Sequence, residues 1–205
     1  MMGDSFHQYG SGNIGKAEHR GSGNIVAGGG RPTDRRRRRA VGSFDPLIFV
    51  NYRGADEAWA ARAVWRVWAD HVGDHRVFLD NRSIRPGQPF DEELLSAVKA
   101  SAVLLAVIGR QWYGVQPDGR RLIDDEDDWV RREIVHAIQH DVHVIPVLVD
   151  GSQPTARELP DDLRPIDKFQ YRRISHGSSD SDLAGMVDYV CHAVERVAEA
   201  VDDYR

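Results

Sequence analysis

Trp129 and Glu133 stand four residues apart in the segment 128–140, whose apolar residues Val130, Ile134, Ala137 and Ile138 repeat at helical spacing. Residues four apart on a helix lie one above the other, so an indole and a carboxylate share one side of it. That side flanks the apolar stripe, which puts Glu133 at the border between core and solvent. A carboxylate there has two uses. It pairs with a nearby arginine as an ordinary surface group, or it lies against a reacting centre and stabilises developing positive charge. Two loops offer companions. Asn51-Tyr52-Arg53-Gly54 brings an aromatic ring and a permanent cation. Asp80-Asn81-Arg82-Ser83-Ile84-Arg85-Pro86-Gly87 brings a carboxylate and a turn pair.

Other groupings fall short of chemistry. His136 and His140 share a helical face, but Ala137 follows His136, so the zinc signature H-E-x-x-H is absent and no third ligand is in view. His71 and His75 have the same spacing, with Gly73 ending the helix between them. The run Asp124 to Asp128 reads as a solvated loop feeding carboxylates to a helix N-terminus, where the helix dipole favours them; its spacing is that of no calcium loop. No metal site is expected. Gly10-Ser11-Gly12-Asn13-Ile14-Gly15 matches G-x-G-x-x-G without a strand before it or an apolar helix after it, and there is no G-x-x-x-x-G-K-[ST] loop. Cys191 is the one cysteine, which excludes a disulfide framework and fits a reducing cytoplasm.

The elements that must position the loops show in the periodicity. Short apolar runs at Leu47 to Val50, Val77 to Leu79, Ala102 to Ile108 and Val142 to Val149 read as strands, and Phe169 to Arg172 as a weak fifth. Pro146 suggests that the fourth lies near a sheet edge or bulge. Between them, residues 56–72, 90–100 and 128–140 read as helices, with residues 181–201 as a last one. In the first helix the stripe is Ala60, Ala63, Val64, Val67 and His71; in the second it is Leu94, Leu95 and Val98. In the last it is Leu183, Met186, Val187, Val190, Val194 and Val197. Trp65 lies about 140° from the centre of its stripe and is expected to be exposed, alone or as a self-association surface. Residues 110–127 read as a polar loop. Alternating strands and helices predict an α/β fold: a doubly wound, five-stranded parallel sheet in the flavodoxin-like order. Ligands of such sheets bind beyond the carboxyl ends of the strands, where the two loops emerge together with a third, which follows Ile108 and leads into the helix of Trp129 and Glu133. The third strand ends in Gly109-Arg110 rather than an aspartate, so the acidic Mg²⁺ pocket of a phosphorelay receiver is not built.

Residues 1–43 form a different region. They carry eight Lys/Arg against three Asp/Glu, whereas residues 44–205 carry 19 against 29, a net of −10 that makes the body a poor nucleic-acid binder. The tail is Gly-rich, short of large apolar residues, and expected to be disordered alone. It repeats Gly-Ser-Gly-Asn-Ile at positions 10–14 and 21–25. These units read as flexible linker or as a cross-β adhesive between copies. The run Arg35 to Arg39 reads as a solvated spacer or a weak anionic-surface contact. No apolar run approaches the roughly 18 residues of a membrane span, and the N-terminus has no apolar signal-peptide core.

The stretch from Leu47 to Val149 resembles a TIR domain. Ile48-Phe49-Val50-Asn51-Tyr52-Arg53-Gly54 resembles the family's first strand and loop, Val77-Phe78-Leu79-Asp80 with Ile84-Arg85-Pro86-Gly87 its second strand and BB loop, and Ala102 to Gly109 its third strand. Asp128-Trp129-Val130-Arg131-Arg132-Glu133-Ile134 looks like the Trp-x-x-x-Glu helix of the NAD⁺-cleaving members, and Val144 to Leu148 resembles the fourth strand. Residues 44–205 are assigned to the domain by extension. The resemblance implies either an NAD⁺ hydrolase or a non-enzymatic adaptor that binds through the loop around Pro86-Gly87. For the enzyme it implies Glu133 as the catalytic residue and Tyr52, Arg53, Asp80, Ile84 and Trp129 as substrate contacts. NAD⁺ is then substrate rather than resident cofactor. The expected partners are copies of the chain, meeting through the TIR domain and the tail in a defence or cell-death response. Gly109-Arg110 replaces a serine that some relatives carry after the third strand.

Overall fold

The computed structural model describes residues 46–53, 58–79, 90–151, 153–176 and 179–205. Five parallel strands form one sheet: β1 (Ile48–Asn51), β2 (Val77–Leu79), β3 (Val103–Ile108), β4 (His143–Val149) and β5 (Arg172–Ile174). Their order is β2-β1-β3-β4-β5, the flavodoxin-like order that the alternation of elements predicts. Strand β3 is central. It pairs with β1 from Ile48↔Val103 to Asn51↔Ala106, and with β4 from Val103↔His143 to Ile108↔Leu148.

Side chains of a strand point alternately to its two faces, so β3 feeds two cores. Val103, Leu105 and Val107 join Trp68, Val187 and Val201 beneath α1 (Ala58–Val72), α4 (Ser179–Ala193) and α5 (Glu195–Tyr204). Leu104, Ala106 and Ile108 join Phe49, Leu94 and Ile134 beneath α2 (Phe90–Ala100) and α3 (Trp129–Gln139). The unbroken apolar run of β3 is what a strand covered on both faces requires.

Several elements differ from the expectation. The buried stripe of α1 is Ala60, Ala61, Val64, Trp68 and Val72, with Ala63, Val67 and His71 only half-buried. The rotation is driven by Trp68, whose large ring is fully enclosed. Trp65 is half-buried, not exposed: it packs against the same core and its Nε1 donates to the Val77 carbonyl, 3.2 Å away. In α2, Ala97 rather than Leu95 completes the buried side. The last helix is two. Val194 is extended (φ −132°, ψ 96°), and α5 restarts beyond it so that Val197, Ala200 and Val201 reach the core. Neither Gly nor Pro marks this break; packing of α5 against α1 and α4 imposes it. Strand β5 begins at Arg172, where Phe169 to Arg172 was expected, because Phe169 and Tyr171 pack on the core without joining the ladder. A 3-10 segment, Asp161–Lys168, precedes it. Strand β4 is internal, yet β5 pairs only with Val147 to Val149, so Pro146 stands where β4 has a single neighbour.

Candidate active site

The site is built where β1 ends and α3 begins. Asn51, the last residue of β1, is wholly buried, and its Nδ2 donates to Glu133 Oε2 at 2.6 Å and to the Val130 carbonyl at 3.3 Å. Glu133 is 1% exposed. This corrects its expected place at the border of core and solvent: α3 lies against the sheet with Glu133 turned toward the end of β1, inside the layer rather than at its margin.

The start of α3 is fixed by Asp128. Its Oδ2 accepts from the Arg131 backbone N–H at 3.1 Å, an N-cap that satisfies one of the helix's orphan donors. The same carboxylate takes both arms of Arg53, Nη1 to Oδ1 at 2.8 Å and Nη2 to Oδ2 at 2.6 Å. Arg53 Nε donates to the Trp112 carbonyl at 2.6 Å. The pair is 13% and 7% exposed, so this forked bond works in a poorly solvated place, where such geometry counts most. One guanidinium thus ties together the loop after β1, the segment after β3 and the N-terminus of α3. Arg53, for which the family resemblance implies a substrate contact, is bonded within the protein here.

The segment after β3 is more ordered than its polar composition suggests. Trp112 is fully buried, Val115 bridges to Arg121, and Leu122–Asp124 forms a 3-10 turn. Gly114 has φ +64°, and a Cβ there would sit 2.9 Å from the Leu122 Cβ and 3.1 Å from Arg53 Nη1. Only glycine lets the backbone pass this close to the Arg53–Asp128 pair. Three of the run's five acidic side chains have an internal use: Asp124 pairs with Arg121, Asp125 accepts from the Asp127 N–H, and Asp128 caps α3. The Arg121 hydrogen bond holds the Asp124 carboxyl below its ordinary range. Burial, with the Glu158 charge behind it, raises the Tyr113 phenol.

Trp129 is half-buried against the α2–α3 core, and the Arg132 guanidinium lies over its ring at 4.1 Å. Tyr52 is half-buried against the α1 side. The two aromatics therefore come from opposite layers of the sandwich and flank the carboxyl ends of the strands. Asp80 and Ile84 lie outside the described residues. Arg131 anchors the outer side of α3, donating to Asp162 through Nε at 3.1 Å and Nη2 at 3.0 Å, and to the Asp124 carbonyl at 2.9 Å. His136 and His140 stack with ring centroids 4.1 Å apart, and among the described residues no three His, Cys, Asp or Glu side chains gather as metal ligands. A groove of about 500 Å³ between α1 and α4, bordered by Arg66, Asp70 and Asp188, contains none of the expected site residues.

Sequence reasoning passed over Asn51 and Asp128 as working parts of this site. The available signal was the position of Asn51, a polar residue closing an apolar strand at its carboxyl end, where ligands of these sheets gather.

The fold and this rim define a doubly wound α/β domain with a buried glutamate under its ligand edge. The TIR domain family model matches residues 48–186, more than half of the chain, and the chain belongs to that family. It is 28% identical over 154 residues to the NAD(+) hydrolase tir-1 of Caenorhabditis elegans, a match covering 73% of this chain and 15% of that protein. It is 31% identical over 126 residues to the NAD(+) hydrolase sarm1 of Drosophila melanogaster, covering 60% of this chain and 8% of that one. The probable 2′ cyclic ADP-D-ribose synthase BdTIR of Brachypodium distachyon is 24% identical over 165 residues, covering 72% and 66% respectively. The chain thus spans less than two thirds of the length of each of these relatives. Among solved structures, the TIR domains of the activated Roq1 resistosome align with a TM-score of 0.39 at 15% identity, over 76% of this chain and 82% of that one. A metazoan TIR-STING receptor from C. gigas aligns at 0.42 and 18% identity, over 68% and 39%. Among the described residues no helix is long and apolar enough to cross a membrane.

Proposed function

We propose that this TIR domain cleaves NAD⁺ at the nicotinamide–ribose bond, with Glu133 as the catalytic carboxylate. The observation that carries the reading is the placement of Glu133, buried at the carboxyl end of β1 and held there by an uncharged amide. The relatives named NAD(+) hydrolases support it.

The chemistry asks for little more than this carboxylate. The ribose C1′–N bond breaks with its electron pair going to the pyridinium nitrogen, so nicotinamide leaves neutral and needs no acid. Positive charge develops on C1′ and the ring oxygen, and a carboxylate in a poorly solvated site stabilises it, as in glycosidases. Water then adds to C1′ and gives up a proton, yielding ADP-ribose; attack by the substrate's own adenine gives a cyclic product instead. Trp129 and Tyr52 offer aromatic surfaces to the substrate, with Asp80 and Ile84 as further contacts. Arg53 acts through Asp128 as a positioning residue. Copies of the chain assemble in the cytoplasm to reach full activity.

The test is nicotinamide release from NAD⁺ by concentrated full chain beside Glu133→Ala. The expected outcome is release by the native chain and a loss of about a thousandfold or more in the variant. Equal release by both removes Glu133 from the mechanism. No release by either, even with forced assembly, leaves the adaptor as the function.

A further inference from the structure

We propose that Asn51 is a positioning residue that holds the Glu133 carboxylate in one orientation and in its ionised form. The proposal rests on the reading of Glu133 as the catalytic group. Asn51 follows Ile48, Phe49 and Val50, all buried, and is itself wholly enclosed. An apolar residue would continue that strand at less cost. Instead both hydrogens of its Nδ2 go to acceptors on α3: Glu133 Oε2 at 2.6 Å and the Val130 carbonyl at 3.3 Å. Two acceptors on one side settle which way the carboxamide faces. Its Oδ1 then has no hydrogen-bond partner among the described residues, and a buried oxygen left so is costly. The fold tolerates an orphaned oxygen here in order to deliver two donors to α3.

The choice of an amide has a chemical reason. A hydrogen bond to the charged form of a carboxylate favours that form. A lysine or arginine in this place would do the same and also neutralise the charge. Asn51 donates without cancelling it. Because Val130 and Glu133 are three apart on one helix face, the same amide also fixes the rotation of α3 against β1.

Among the described residues, the strands beside Glu133 carry few titratable groups. Strands β1 and β3 bring no titratable group, and β4 brings only His143, exposed at its amino end. Helix α2 contributes Glu92, Glu93 and Lys99, and the 3-10 segment contributes Asp161, Asp162, Arg164, Asp167 and Lys168, with Asp162 bound by Arg131. On α3 itself stand Arg131, Arg132 and His136, and at its cap Asp128 is bound by Arg53.

The experiment follows the carboxyl carbon of Glu133 by NMR in full chain labelled at glutamate Cδ, the resonance being assigned by its loss in Glu133→Gln. Asn51→Ala removes the donors; Asn51→Asp keeps the volume but sets a second carboxylate against the first. In Asn51→Ala the Glu133 midpoint is expected to rise by about one pH unit. In Asn51→Asp the two carboxylates titrate as a pair, with the upper step raised further. Nicotinamide release should lose about tenfold to a hundredfold in kcat in Asn51→Ala, with KM within about twofold. An unmoved Glu133 midpoint in the variants that fold overturns the role of Asn51. Absence of nicotinamide release from the native chain is a separate reading and overturns the catalytic assignment instead.

Discussion

At the scale of single residues, the site depends on side chains bonded to one another. Asp128 accepts the α3 backbone and a whole guanidinium at once. Asp128→Ala would remove the cap and leave Arg53 in a poorly solvated place with no counter-charge. The expected loss is about 3 kcal/mol, read as a drop of about 10 °C in Tm. Asp128→Asn keeps an N-cap acceptor and should lose less than the alanine variant. Equal losses in the two would mean that the cap and the ion pair are not separable contributions. Of these residues, Trp129 and Glu133 were legible because a helix period places them together. Asn51 was not, since one polar residue closing an apolar strand reads equally as a strand terminus. The burial of Glu133 was also beyond the periodicity, which marks a face but not how deeply a neighbour encloses it.

At the scale of elements, α3 carries a second dependence, on proton concentration. Burial, with the His140 and Lys99 charges behind it, lowers the His136 pKa below its usual 6.5. The unfolded chain therefore takes a proton at His136 more readily than the folded one. Its contribution to stability is whole above about pH 6.5 and is lost as pH falls through the depressed folded value. Urea midpoints measured across that range should fall for the native chain and flatten for His136→Gln; parallel slopes would remove His136 as the cause. Strands β1 to β4 and the extents of the first three helices were legible because their apolar runs are clean, whereas β5, three residues long, was displaced. The segment after β3 was not, because Trp112, Gly114 and the 3-10 turn are held by tertiary contacts rather than by any repeat. The division between α4 and α5 was hidden for a related reason: Val190, Val194, Val197 and Val201 keep the helical spacing straight across it.

At the scale of the whole molecule, the repeat at positions 10–14 and 21–25 has two readings, linker or adhesive between copies, which concentration separates. If those units act as an adhesive, nicotinamide release per molecule should climb with protein concentration in the full chain. Deleting residues 1–30 should then abolish concentration-dependent assembly in sedimentation. Unchanged sedimentation after the deletion would reduce the units to linker. Concentrated protein also meets a general hazard, because the exposed border of a sheet is a template on which another chain can pair and grow into fibre. Here the two borders are β2 and β5, each only three residues long, and Trp65 occupies one of the β2 carbonyls. The indole therefore acts as a stopper on the β2 side: it takes up a carbonyl that a strand of another chain would need to start a seam there, and the shortness of β5 leaves little to pair with on the other side.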